Sequence, residues 1–107
     1  MTTEDDLKDK LDDLWKKALP LMLRRLEVIS RAHRALTEGA LTDAVKEEAA
    51  QEAHKLAGSL GVFGLQGGSE AALEIEQLLS AEHASDKNAI AELDKELERL
   101  KRQVESR

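Results

Sequence analysis

The sequence contains no cysteine and no tyrosine, one proline, one tryptophan and one phenylalanine, and no long uninterrupted apolar run. The lack of cysteine excludes disulfides, cysteine-ligated zinc or iron–sulfur sites and cysteine nucleophiles. No segment approaches the length of a membrane span, and no signal-peptide core follows Met1. We therefore expect a soluble protein of the cytoplasm.

The chain also lacks an excess of positive charge, because its 16 Lys and Arg residues are outnumbered by 22 Asp and Glu residues, which gives a formal net charge of −6. A general nucleic-acid binder requires a basic footprint, and attraction to anionic lipids requires positive charge. The acidic balance therefore predicts a protein that binds neither nucleic acid nor a membrane surface.

What the chain has in abundance is helix-forming residues, since Leu, Ala, Glu, Lys and Arg make up most of its 107 positions. Val, Ile and Thr are few, which disfavours a sheet. The length fits one domain, so we expect a single all-α domain over residues 1–107.

Apolar residues recur every three or four positions in several segments, the spacing of amphipathic helices. The pair Thr3 and Asp6 predicts a helix start near Glu4. Pro20 interrupts the first stripe, so it either kinks this helix or begins a new one. Gly39 predicts the end of the stripe that follows.

Three further helices are predicted downstream. Thr42 is the expected N-cap of the first of these helices, which should end before Gly67. The run Gly67-Gly68-Ser69 predicts a turn with Ser69 as the next N-cap, and Ser85 is expected to cap the last helix. The segments predict an antiparallel, up-and-down four-helix bundle with an additional N-terminal helix before Pro20.

The three histidines, His33, His54 and His83, do not occur in the common metal or nucleophile motifs. None has a Glu three residues before it, and no HExxH is present. Ser59 is not in a nucleophile elbow, and no Gly-Lys-Ser/Thr follows the glycine-rich segment. We therefore expect no metal and no cofactor in the chain itself, and His33 is expected to be a packing residue.

His54 differs from the other histidines because its helical neighbours are all small. At ~100° per residue the apolar stripe of its helix lies roughly opposite, so the side chain should be exposed. Ala50, Ala57 and Gly58 lie one turn away, and Gly61 lies two turns away. A glycine inside a helix lowers the stability of the helix by roughly 1 kcal/mol relative to alanine. Close approach of a partner to the imidazole would be a reason to accept this loss. The alternative is that the small residues reflect helix termination and close packing.

The run from Ala53 to Leu65, AHKLAGSLGVFGL, resembles the motif of histidine-containing phosphotransfer (HPt) domains, the phosphorelay modules of two-component signalling. In that motif the second residue after the histidine is apolar, the third is lysine and the fourth is glycine, and a further glycine follows six residues after the first one. Gly58 and Gly64 match these two glycines.

The resemblance extends beyond this run. In motif terms it reaches about Leu79, and in architecture it covers most of the chain. The pattern of Leu14, Trp15 and Pro20 upstream is most similar to HPt domains in multidomain response regulators, where they accompany receiver and diguanylate cyclase domains.

The resemblance implies that His54 carries a phosphoryl group exchanged with an aspartate of a receiver domain, which makes the chain a phosphoryl carrier rather than an enzyme. Mg²⁺ would be supplied by the receiver. In many members a Gln or Glu of the following helix accepts a hydrogen bond from the histidine ring, and Glu76 occupies the matching position. Ala57 stands where the family usually has Lys, and Lys55 lies ~100° around the helix from His54.

The implied site is therefore His54, with Lys55, Gly58 and Glu76 in support. The surface expected to contact the receiver consists of Ala50, Gln51, Ala57 and Gly61, with Ser59 nearby. The missing lysine favours an alternative, in which the domain is a phosphorylation-deficient adaptor that only binds a receiver or another partner. The alternative for Glu76 is that it has no role at the site and is simply one of the many glutamates on solvent-exposed helix faces. We expect a monomer.

Overall fold

The computed structural model describes residues 3–81 and 86–107, except for the side chain of residue 3, and these residues form four α-helices. The helices are α1 (Thr3–Thr37), α2 (Asp43–Val62), α3 (Gln66–Ser80) and α4 (Lys87–Glu105). Each helix packs on the next, and α1 also packs on α4, which closes the bundle. The expected all-α four-helix bundle is confirmed. None of the described helices is long and apolar enough to cross a membrane.

The predicted N-terminal helical segment is present, but it forms the first part of α1 rather than a separate helix. Pro20 lies inside α1, which continues from residue 3 to residue 37. A proline within a helix removes a backbone hydrogen bond and costs about 3 kcal/mol. Trp15 and Met22, on either side of it, are both buried in the same core. This burial on both sides of Pro20 holds the two halves in one helix.

The connection between α2 and α3 differs from the prediction. Ser69 is not the N-cap of α3, because α3 begins three residues earlier at Gln66. The chain turns instead at Gly64, whose φ of +73° favours glycine. The glycines of the predicted turn lie inside α3, where a Cβ added to Gly68 would come within 3.1 Å of the Gln103 side chain. Those glycines allow close packing of α3 on α4.

The other helix ends follow the prediction more closely. Thr42 caps α2, and its side chain accepts a hydrogen bond from a backbone N–H of the first turn. Gly39 follows the end of α1 with a φ of +72°. The predicted cap Ser85, like His83, lies outside the described residues. Helix α4 has Asp86 as its N-cap.

One apolar stripe from each helix meets in a single core. The largest fully buried side chains are Met22, Ile29, Leu56, Leu60, Ile75, Leu79, Leu93 and Leu100. At one end of the bundle Trp15 contacts Phe63 edge to face, with ring centroids 5.2 Å apart. His33 is half-buried, in keeping with a packing role, and its Nε2 lies 3.5 Å from Asp94 Oδ1. The core fixes the rotation of each helix and therefore determines which residues face solvent.

Candidate functional site

His54 lies on the outer face of α2, and 69% of its side chain is exposed. Ala53, Leu56 and Leu60 of the same helix are fully buried in the core. Because successive helical residues are rotated by ~100°, burial of these three residues directs His54 away from the core. The exposure predicted from the spacing is found in the structure.

Glu76 of α3 lies beside the imidazole ring of His54. The Nδ1 atom of His54 is 3.0 Å from Oε2 of Glu76 and 3.2 Å from Oε1. An ionised carboxylate can only accept hydrogen bonds, so Nδ1 carries the proton and donates it to this contact. In the neutral ring the other nitrogen, Nε2, then keeps its lone pair. The arrangement thus selects one tautomer of the ring.

Contacts between α2 and α3 bring Glu76 to this position. Ser69 Oγ donates a hydrogen bond of 2.9 Å to the carbonyl oxygen of Ala57. Glu76 follows Ser69 by seven residues, two helical turns, and therefore lies on the same side of α3, toward α2. The neighbouring Ile75 is fully buried and anchors this part of α3.

Ala57 is not on the exposed surface. It is only 4% exposed and packs within the core. Its expected place on the exposed face is wrong, because position 57 is rotated from His54 toward α3, where Ser69 hydrogen-bonds to its carbonyl oxygen. Its contact with a partner stays a prediction. The position therefore offers neither a cation nor an accessible side chain.

The remaining predicted contact residues share the outer face of α2 with His54. Of these, Gln51 and Gly61 are exposed and Ala50 is half-buried. Gly58, predicted as a supporting residue, is exposed on the same face. A Cβ added to Gly58 would meet nothing within 4 Å, so packing does not require glycine there. A glycine inside a helix nevertheless costs about 1 kcal/mol relative to alanine. This cost is unexplained by the fold itself.

The surface is concave on both sides of His54. Toward the start of α2 there is a groove of about 390 Å³ between α2 and α3, lined by Asp43, Lys46, Glu47, Ala50, Gln51, Glu76, Leu79 and Ser80. Toward its end there is a shallower depression of about 300 Å³, lined by His54, Ala57, Gly58, Gly61, Ser69 and Leu73. His54 lines the depression and its partner Glu76 lines the groove, so their contact lies where the two concavities adjoin.

A charged cluster occupies the side of α2 that faces α1. Lys55 Nζ lies 3.5 Å from one carboxylate oxygen of Glu52, and Arg25 Nε lies 3.2 Å from the other. Arg25 also donates to Ser59 Oγ at 3.4 Å. The buried Nε–H of Arg25 is not aligned for a hydrogen bond to any acceptor. The pair is therefore held by charge rather than by good hydrogen-bond geometry.

Arg25 and Glu52 are absent from the site predicted from the sequence. Glu52 precedes Lys55 by three residues, a spacing that brings opposite charges together on a helix, so this half of the cluster had a sequence signal. Arg25 belongs to another helix and had none. Within residues 3–81 and 86–107, no group of three or more His, Asp or Glu side chains is arranged to hold a metal ion.

Comparison with known proteins gives one positive finding. The family model of the Hpt domain matches residues 13–103, which include all of α2 and α3. This chain belongs to the Hpt domain family. Hpt domains are phosphocarrier modules that act with receiver domains in phosphorelays. Neither the comparison with curated proteins nor that with solved structures gives a match.

Proposed function

We propose that this Hpt domain accepts a phosphoryl group on Nε2 of His54 and returns it to the aspartate of a receiver domain. The contact between His54 Nδ1 and the Glu76 carboxylate, at 3.0 Å, is the observation that carries the proposal. It leaves the lone pair on Nε2, in a side chain that is largely exposed. A nucleophile held in one tautomer and open to a partner is what the reaction requires.

In the proposed step the Nε2 lone pair attacks the phosphorus of an aspartyl phosphate on the receiver. The N–P bond forms as the P–O bond to the aspartate breaks, and the aspartate leaves as a carboxylate. Because Nδ1 keeps its proton, the ring gains positive charge, which the carboxylate of Glu76 stabilises. The reverse step returns the phosphoryl group by the same route. Mg²⁺ belongs to the receiver in this proposal.

The surface around His54 supports close docking of a receiver. His54 lines the depression together with Gly58 and Gly61, and Glu76 lines the groove. Gly58 lies one turn from the histidine and has open space where a Cβ would be. A glycine there lets a partner backbone approach the reacting nitrogen, which explains the residue better than packing does.

Lys55 is the proposed substitute for the lysine that Ala57 replaces. Its ammonium is 3.5 Å from Glu52, whose carboxylate also lies 3.2 Å from Arg25. Because Arg25 shares this carboxylate, Lys55 can leave it for a phosphoryl oxygen without leaving a half-buried charge unpaired. Arg25 is then a positioning residue that acts through Glu52.

The proposal is tested by incubating the domain with a phosphorylated receiver and Mg²⁺, and separately with phosphoramidate, which donates to imidazole without a receiver. We expect phosphate that is labile in acid and stable in base. Labelling should disappear in His54→Gln and persist in the matched control His33→Gln. Labelling that survives in His54→Gln would assign the phosphoryl group to another residue.

The burial of Ala57, and the absence of a lysine there, favours one other function, a phosphorylation-deficient adaptor. Such an adaptor would bind a receiver with the same affinity in the wild type and in His54→Gln. It would also remain unlabelled by phosphoramidate. Binding and labelling measured on the same two proteins therefore distinguish the two functions.

A further inference from the structure

A second apolar surface lies on the N-terminal half of α1. Leu7, Leu14 and Leu21 recur at every seventh residue and are 56%, 53% and 43% exposed. Leu11, between the first two, is also exposed. We call these four residues the α1 seam. Spacings of four and three residues place them along one side of the helix.

The end of α2 explains why Leu7, Leu11 and Leu14 of the seam are uncovered. Helix α2 stops at Val62, and the next residue, Phe63, contacts Trp15. From Trp15 to its first residue α1 extends about 18 Å further, at about 1.5 Å per residue. Arg107 binds the other side of this extension, with its guanidinium 5.4 Å from the Trp15 ring and 3.1 Å from Asp12. The side of α1 that faces α2 in the rest of the bundle is therefore not covered by α2 in this N-terminal extension.

A row of cations borders the seam. Lys10, Lys17 and Arg24 each follow a seam leucine by three residues, and all three are exposed. We call them the basic row. Within the described ranges, none of the three makes an ion pair or a side-chain hydrogen bond. Residues three apart on a helix are neighbours, so Leu7, Leu14 and Leu21 each have a residue of the basic row beside them.

We propose that the α1 seam binds an amphipathic α-helix of a partner protein, whose apolar stripe is bordered by Asp or Glu. The seven-residue repeat of leucine is the pattern of a helix that pairs with another helix along its length. The basic row occupies the flanking positions, which select the charge of the partner. From Leu7 to Leu21 the contact would extend about 21 Å along α1.

A second copy of this chain fits the seam poorly. In a parallel pair the basic row would face the other flank of the copy, which carries Lys8, Trp15 and Met22. In an antiparallel pair it would face the basic row of the copy. Neither arrangement supplies a carboxylate, and the second one sets like charges against each other.

An anionic membrane also fits poorly. Asp6 and Asp13 precede Lys10 and Lys17 by one turn and lie beyond the basic row as seen from the seam. A flat, negatively charged surface that covered the seam and the basic row would meet these carboxylates. A single helix lying on the seam would not extend that far. The charge pattern therefore favours a narrow acidic partner.

The test uses two synthetic helical peptides of three heptads, with Leu at the two apolar positions of each heptad. One carries Glu at the flanking positions and the other carries Lys. We expect the intact domain to bind the Glu peptide, with affinity that falls as salt is raised, and to bind the Lys peptide at least about tenfold more weakly. Equal binding of the two peptides, or no binding of the Glu peptide, overturns the proposal.

Variants assign the binding surface. We expect the double variant Leu7→Gln/Leu14→Gln to weaken binding of the Glu peptide at least about tenfold. Leu23→Gln is the matched control, since Leu23 is similarly exposed on the other side of α1. All these leucines are exposed, so the variants should fold, and urea unfolding followed by Trp15 fluorescence checks this. A control as weak as the double variant would contradict the assignment.

Lys10→Glu/Lys17→Glu provides the charge test. It should transfer the preference from the Glu peptide to the Lys peptide, whereas Lys16→Glu, on another side of α1, should not. Two other results would overturn the proposal. The first is a dimer, seen by sedimentation equilibrium, that Leu14→Gln dissociates. The second is binding to phosphatidylserine vesicles that the same leucine substitutions abolish.

Discussion

The Nδ1 atom of His54 lies 3.0 Å from Oε2 of Glu76, across the interface between α2 and α3. The two residues are 22 positions apart in the sequence. The backbone of each is fixed by neighbours packed in the core, so the contact is maintained by the bundle rather than by the side chains alone. It determines which ring nitrogen is free to react.

We predict that removal of the Glu76 carboxylate slows labelling of His54. Glu76→Ala deletes a hydrogen bond to a charged group, an interaction of about 1.5–3 kcal/mol, so the rate should fall by about tenfold or more. Glu76→Gln keeps an acceptor but loses the charge, and should be intermediate. Rapid-quench labelling by phosphoramidate measures the rates.

The matched control for this prediction is Glu74→Gln, an exposed glutamate on the same helix. It should label at the wild-type rate. If Glu74→Gln and Glu76→Ala slow labelling equally, the effect is one of general surface charge, and the orienting role of Glu76 is rejected.

The charged cluster of Arg25, Glu52 and Lys55 predicts that substitutions of these residues have non-additive effects on the labelling rate. Lys55→Gln should slow labelling several-fold, because the cation near the phosphoryl group is lost. Arg25→Gln should also slow it, because the unshared Glu52 carboxylate then retains Lys55. In a Glu52→Gln background, however, Arg25→Gln should have no further effect. Arg25→Lys should restore most of the rate.

Unfolding by urea checks that these variants remain folded, with the single tryptophan, Trp15, as the fluorescent reporter. An equal effect of Arg25→Gln in the wild type and in the Glu52→Gln background would show that Arg25 does not act through Glu52.

Substitution of Ala57 predicts opposite effects on stability and on labelling. Because Ala57 is buried between α2 and α3, a long side chain there overpacks the interface and should lower the free energy of unfolding by about 1–3 kcal/mol. Ala57→Lys should nevertheless label faster than the wild type, since its ammonium reaches the surface next to His54. Ala57→Met tests packing without charge, and it should be destabilised without the faster labelling.

The sequence predicted the bundle and the exposure of His54 because both follow from helical periodicity. It misplaced Ala57 because a residue between the apolar stripe and the exposed face is buried or exposed according to what the next helix covers. Arg25 was missed for a related reason, since its contact with Glu52 depends on how α1 and α2 pack. The turn was assigned to the wrong glycine, because several stand close together and only the fold gives Gly64 its positive φ.

Gly58 yields the sharpest separation of stability from function. A Cβ at this position meets nothing within 4 Å, so Gly58→Ala should raise the free energy of unfolding by about 1 kcal/mol through helix propensity. Gly68→Ala is the matched control and should be destabilising, because its Cβ would come within 3.1 Å of Leu60.

If Gly58 lets a receiver approach, Gly58→Gln should keep the phosphoramidate labelling rate of His54 and slow transfer from a phosphorylated receiver about tenfold or more. Equal slowing with both donors would mean that the substitution disturbs His54 itself rather than docking.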